Sequence, residues 1–157
     1  MNVKTVEALK AAGKTVAVAE SCTGGLLAAS ITDVPGASEV FSCGMVTYAN
    51  EIKINCLHVA PETIDTFGVV SAEVAKAMAR SIRQIAGADY GIGITGVAGP
   101  GPDGTHPEGD IYIALATATE DKLTHLLTGT HNQREANRHA AVAAALNLLL
   151  KEVTENG

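Results

Sequence analysis

The chain has 157 residues, enough for one domain with a real core, and 46% of them are apolar against 18% charged, which excludes a disordered composition. A formal charge of −6 with dispersed Lys and Arg argues against a protein that grips nucleic acid by neutralising phosphates. The start MNVKTVEALKAAGK has no signal-peptide apolar core, and the longest apolar run, AAVAAALNLLL, is too short to span a bilayer, so a cytoplasmic protein without membrane or nucleic-acid partners is expected.

The pattern predicts a first helix over about Val3–Ala12, closed by Gly13. TVAVAE reads as a strand, and a helix is expected from near Thr23. DVPGAS breaks the chain and FSCGMVTYAN is the next extended stretch. EIKINCLHV reads as a short helix, and PETIDTFG as another, with Pro in its first turn and Gly68 at its end. Ser71 caps a longer helix that puts Val74, Met78, Ile82 and Ile85 on one face. YGIGIT, DIYIALATA and KLTHLLTG read as strands, and the last helix runs from about Gln133 to Val153. Helices alternate with strands at first, and later strands follow one another directly. That order predicts one α/β domain over residues 1–157, a three-layer α/β/α sandwich with a mixed β-sheet.

Three stretches hold candidate chemistry. Ser21-Cys22-Thr23-Gly24-Gly25 falls just past the carboxyl end of the first strand, where open α/β sheets place their ligands. If Thr23, Gly24 and Gly25 form the first turn of the helix, their free N–H groups suit a phosphate or an oxyanion. An ordinary helix cap by Ser21 or Thr23 is the competing reading, and G-x-x-x-x-G-K-[ST] is absent. Ser21 as a nucleophile needs a base. The histidines at 58, 106, 125, 131 and 139 are scattered, which leaves Lys53, in VTYANEIK, as the candidate. Tyr48 ends the strand before it, and a helix N-terminus would push Lys53 toward the neutral amine. An exposed surface lysine is the alternative.

The second stretch, GVAGPGPDGTHPEG, holds five Gly and three Pro in fourteen residues between two strands. Loops of that length in a compact domain tend to be functional or disordered, and a binding role is expected here. The third, NQREANR, opens the last helix with Arg134 and Arg138 one turn apart. Two cations at a helix N-terminus are costly unless an anion sits there, so a substrate phosphate is the sharper reading. Cys22, Cys43 and Cys56 are odd in number and widely spaced, which fits neither a disulfide framework nor a zinc site.

SCTGG at 21–25, YANEIK at 48–53, GVVS at 68–71 and TGVAGPG at 95–101 occur in one order and spacing. Together they resemble the CinA C-terminal domain family and the stand-alone nicotinamide mononucleotide amidohydrolases within it, over about Val16–Leu150. The resemblance implies an amidase that converts nicotinamide mononucleotide to nicotinate mononucleotide and ammonia, a small-molecule nucleotide being the partner. It implies Ser21 as nucleophile, Lys53 as its partner with Tyr48 close by, and Thr95, Gly96 and Arg134 at the substrate; no cofactor or metal is required. Homo-oligomerisation is left open. A Cys22 nucleophile and a pyridine-nucleotide-binding module without turnover remain as alternatives. Two departures stand out: Asn132-Gln133-Arg134 replaces the family's Gly-Asp-Arg, and His106-Pro107-Glu108-Gly109-Asp110 replaces Lys-Pro-Val-Gly-Thr. Glu108 near an anionic substrate is expected to weaken binding.

Overall fold

The computed structural model describes residues 1–129 and 133–157; His131 and the Asn132 of the departing triplet lie outside them. Five strands form one sheet: β1 (Val16–Glu20), β2 (Phe41–Val46), β3 (Tyr90–Gly96), β4 (Asp110–Ala116) and β5 (Asp121–Leu127). Their order is β2-β1-β3-β4-β5. β1 pairs in parallel with β2 and with β3, while β3–β4 and β4–β5 are antiparallel. The mixed sheet expected from the element order is present.

The helices are α1 (Asn2–Ala12), α2 (Leu26–Thr32), α3 (Asn50–Leu57), α4 (Pro61–Phe67), α5 (Ala72–Ala86) and α6 (Arg134–Asn156). Period-two alternation sorts the layers. Val16, Val18, Ile92, Ile94, Ile111, Ile113 and Leu115 meet the apolar residues of α1, α2 and α6 on one face. Ala17 and Ala19 meet Val74, Met78 and Ile82 of α5 on the other, beside Leu57 of α3.

With few aromatics available, closeness replaces bulk on the α5 face. A Cβ on Gly93 would lie 2.3 Å from the Ala75 carbonyl oxygen, and one on Gly91 would lie 2.1 Å from that of Ala79. α5 therefore rests on the bare backbone of β3. Ser71 caps it as expected, its hydroxyl accepting from the Val74 N–H at 3.2 Å. The parallel strands β1, β2 and β3 all end at one edge of the sheet, and the segments that follow them build the site.

Candidate functional site

Ser21 continues β1 by one residue, donating its N–H to the Ile94 carbonyl at 3.0 Å. The chain then turns rather than entering a helix at Thr23. Gly24 and Gly25 take φ of +59° and +101°, conformations a right-handed helix cannot contain, so α2 starts only at Leu26. Gly24 N–H bonds the Ser21 carbonyl and Leu26 N–H that of Thr23, each at 3.0 Å. The open donors of α2 are also taken, because the buried Glu20 carboxylate accepts from Leu27 N–H at 2.9 Å and Ala28 N–H at 3.0 Å. Of the donors expected to cradle an anion, the Gly24 N–H is thus bonded within the turn, and the first N–H groups of α2 are taken by Thr23 and Glu20. Sequence reasoning missed Glu20; an acidic residue six positions before a helix is a faint signal.

Lys53 lies in the first turn of α3 and is 0% exposed. Its Nζ sits 3.1 Å from Ser21 Oγ, 2.7 Å from the Thr47 carbonyl and 3.0 Å from the Tyr48 carbonyl. Burial lowers its pKa from 10.5 to about 8, so desolvation favours the neutral amine. A neutral amine has two N–H donors and one lone pair. With both carbonyls accepting, the lone pair faces the Ser21 hydroxyl.

These groups open on a cavity of about 330 Å³ whose wall includes Ser21, Cys22, Tyr48, Asn50, Lys53 and Arg134. Val69, Val70 and the run 95–103 complete it. Of the expected site residues, Ser21, Tyr48, Lys53, Thr95, Gly96 and Arg134 come together here; Thr23, Gly24 and Gly25 lie outside the wall. Tyr48 reaches Lys53 only through its carbonyl, while its exposed phenol accepts from Arg134 Nη2 at 3.0 Å. Arg134 Nη1 also donates to the Gly99 carbonyl. Arg138 turns elsewhere, donating to the Cys22 and Thr23 carbonyls at 3.1 and 2.9 Å, and so locks α6 to the 21–25 turn. The cation pair therefore has carbonyl and phenol partners, and only Arg134 borders the cavity.

Thr95 is buried, with its hydroxyl donating to the Val69 carbonyl at 2.8 Å. Gly96 is required by packing as much as by any ligand, since a Cβ there would lie 2.7 Å from Ile111 Cα. Glu108 does not border the cavity as expected. Its carboxylate accepts from Gly101 N–H at 3.0 Å, and the acidic side chain on the wall is Asp103, which sequence reasoning did not single out. Cys22 is buried at 5% exposure, and burial pushes its thiol from 9.0 up to about 11. Burial thus holds Cys22 in its protonated, less nucleophilic form, and the side chain hydrogen-bonded to Lys53 Nζ is the Ser21 hydroxyl. Among the described residues, no group of three or more His, Cys, Asp or Glu is placed to hold a metal, and no helix is long and apolar enough to cross a membrane.

Fold and site define the class: an α/β/α protein carrying a buried serine–lysine pair at the carboxyl edge of its parallel strands. Family comparison agrees, with the CinA C-terminal domain matching residues 1–153. The chain belongs to the CinA C-terminal domain family. It is 48% identical over 151 residues to a CinA-like protein of Desulfovibrio desulfuricans, covering 94% of this chain and 35% of that protein. It is 49% identical over 136 residues to a putative competence-damage inducible protein of Thermoanaerobacter pseudethanolicus, covering 86% and 32%. The chain thus spans about a third of the length of these curated relatives. Among solved structures, competence damage-inducible protein A of Klebsiella pneumoniae superposes with a TM-score of 0.93 at 30% identity, covering 99% of this chain and 96% of that one. A competence or damage-inducible protein of Enterobacter asburiae gives 0.91 at 33%, covering 97% and 95%.

Proposed function

We propose that this chain is an amidohydrolase that converts nicotinamide mononucleotide to nicotinate mononucleotide and ammonia through a Ser21 acyl-enzyme. The observation that carries the reading is the Lys53 amine, fully buried, held by two carbonyls and 3.1 Å from the Ser21 hydroxyl. Neutral Lys53 takes the Ser21 proton as Oγ attacks the carboxamide carbon. The oxyanion is assigned to the N–H of Cys22, which adjoins the nucleophile and borders the cavity, whereas Thr23, Gly24 and Gly25 do not border it. As the tetrahedral intermediate collapses, the C–N bond breaks and protonated Lys53 returns its proton to the leaving nitrogen, releasing ammonia. Water, deprotonated by Lys53, then cleaves the ester and Ser21 regains its proton.

Membership in the CinA C-terminal domain family supports the nucleotide substrate, as does a guanidinium bordering the cavity that can meet a phosphate. The role expected of Tyr48 narrows to holding Arg134, because its phenol points there rather than at the amine. The test is ammonia release from nicotinamide mononucleotide by the purified protein, with Ser21→Ala and Cys22→Ala beside it. Loss with Ser21→Ala and retention with Cys22→Ala is expected. The reverse pattern would move the nucleophile to Cys22, and silence of the parent at high concentration would leave a binding module.

A further inference from the structure

His106 and Asp110 form a cluster of their own with His125 of β5. Asp110 opens β4 and is buried at 4% exposure, where a carboxylate needs hydrogen-bonding partners. Two imidazoles supply them. His106 donates from Nδ1 to Oδ2 at 2.7 Å, and His125 of β5 donates from Nε2 to Oδ1, the tautomers following from the acceptor both rings face. His125 stands opposite Tyr112 in the β4–β5 register and stacks on it with ring centroids 4.1 Å apart, so that imidazole is held by the sheet.

The cluster reaches the cavity through the backbone. His106 and Asp103 exchange N–H···O bonds in both directions at 2.9 Å, and Asp103 borders the cavity. At the other end the Asp110 carbonyl accepts from Val97 N–H at 2.9 Å, and Val97 also borders it. A second tie crosses the loop where Glu108 accepts from Gly101 N–H. A fourteen-residue loop with five glycines has much conformational freedom to lose, and without such ties its wall-forming residues would not hold one geometry.

We propose that His106, Asp110 and His125 act as positioning residues: a carboxylate anchored on the β4–β5 sheet holds His106, and through it the stretch of the 96–109 loop that forms the cavity wall. The bridge acts on substrate binding and leaves the Ser21–Lys53 chemistry untouched; that part rests on the amidase reading above.

The experiment uses the whole chain with His106→Ala, His125→Ala, Asp110→Ala and Asp110→Asn. Amide hydrogen exchange over residues 97–109 is read in the free protein, and KM and kcat are read with nicotinamide mononucleotide. Losing one such hydrogen bond should speed exchange at 101–106 and raise KM by roughly threefold to tenfold in His106→Ala, with kcat within about twofold. Asp110→Asn, whose amide can accept from one ring and donate to the other, should recover most of what Asp110→Ala loses. In the Asp110→Ala background the two histidine substitutions should add little, because their shared partner is gone. Unchanged exchange at 101–106 in His106→Ala, or histidine effects that multiply undiminished without Asp110, would overturn the bridge. Exchange does not depend on turnover, so a parent that releases no ammonia defeats the amidase reading while the exchange result still decides the bridge.

Discussion

Raising the pH from about 6 to 10 titrates one group at the centre of the cavity. Burial lowers the pKa of Lys53 to about 8, and only the neutral amine can take the Ser21 proton. The neutral fraction is about a tenth at pH 7 and half at pH 8, so kcat/KM should rise about fivefold across that interval and about twofold beyond it. Cys22 stays a thiol throughout most of the range, its pKa being about 11. Folding responds to the same displacement. Unfolded, Lys53 keeps its proton to about 10.5; folded, it loses it near 8, so between these values the unfolded chain binds more protons and stability rises with pH.

The full displacement corresponds to about 3 kcal/mol at about 1.36 kcal/mol per pH unit. That much stability is present above 10.5 and is lost as the pH falls through 8. Cys22 acts oppositely, its raised pKa costing stability as the pH climbs from 9.0 to about 11. The window from about pH 8 to 9 therefore isolates the lysine. Denaturant unfolding should show the parent gaining about 1 kcal/mol there relative to Lys53→Met. Parallel stabilities of the two proteins, or a rate still climbing tenfold per pH unit at pH 10, would refute burial as the origin of the base.

Ser21→Ala and Lys53→Met should each remove nearly all ammonia release, and the double variant should be little worse, since groups that share one proton transfer are not additive; losses that multiply would separate them. Arg134→Ala should raise KM for nicotinamide mononucleotide about tenfold at low salt, with little effect on the riboside that lacks the phosphate. An equal loss on both substrates would remove Arg134 as the phosphate ligand. Gly93→Ala would place a Cβ 2.3 Å from the Ala75 carbonyl and 2.7 Å from the Ala79 nitrogen, both backbone atoms of α5. Overpacking there should cost about 1–3 kcal/mol, read as a lower denaturant midpoint, and an unchanged midpoint would mean that α5 can shift freely.

Element types and their order were legible in local patterns of the chain. Period-two runs of Val, Ile and Ala mark β1, β3 and β4, Ser71 marks the start of α5, and Gly13 closes α1 in the left-handed conformation that favours glycine. These signals are local, because each reports hydrogen bonding or burial within a few residues. They placed Ser21 beyond β1, and motif resemblance placed Lys53 beside it. Adjacent glycines, however, fit a helix start as well as a turn. Only their positive φ values showed that α2 begins at Leu26 and that Glu20 fills its N-terminus. The chemistry was decided by contacts between distant residues. The Ser21–Lys53 contact spans 32 positions and Arg138 to Cys22 spans 116, distances bridged only once β2, β1 and β3 lie side by side and α6 returns across the sheet. A lysine's local sequence cannot say whether it is solvated; here the Thr47 and Tyr48 carbonyls hold Lys53 in place and complete exclusion from solvent favours its neutral amine, and both come from packing.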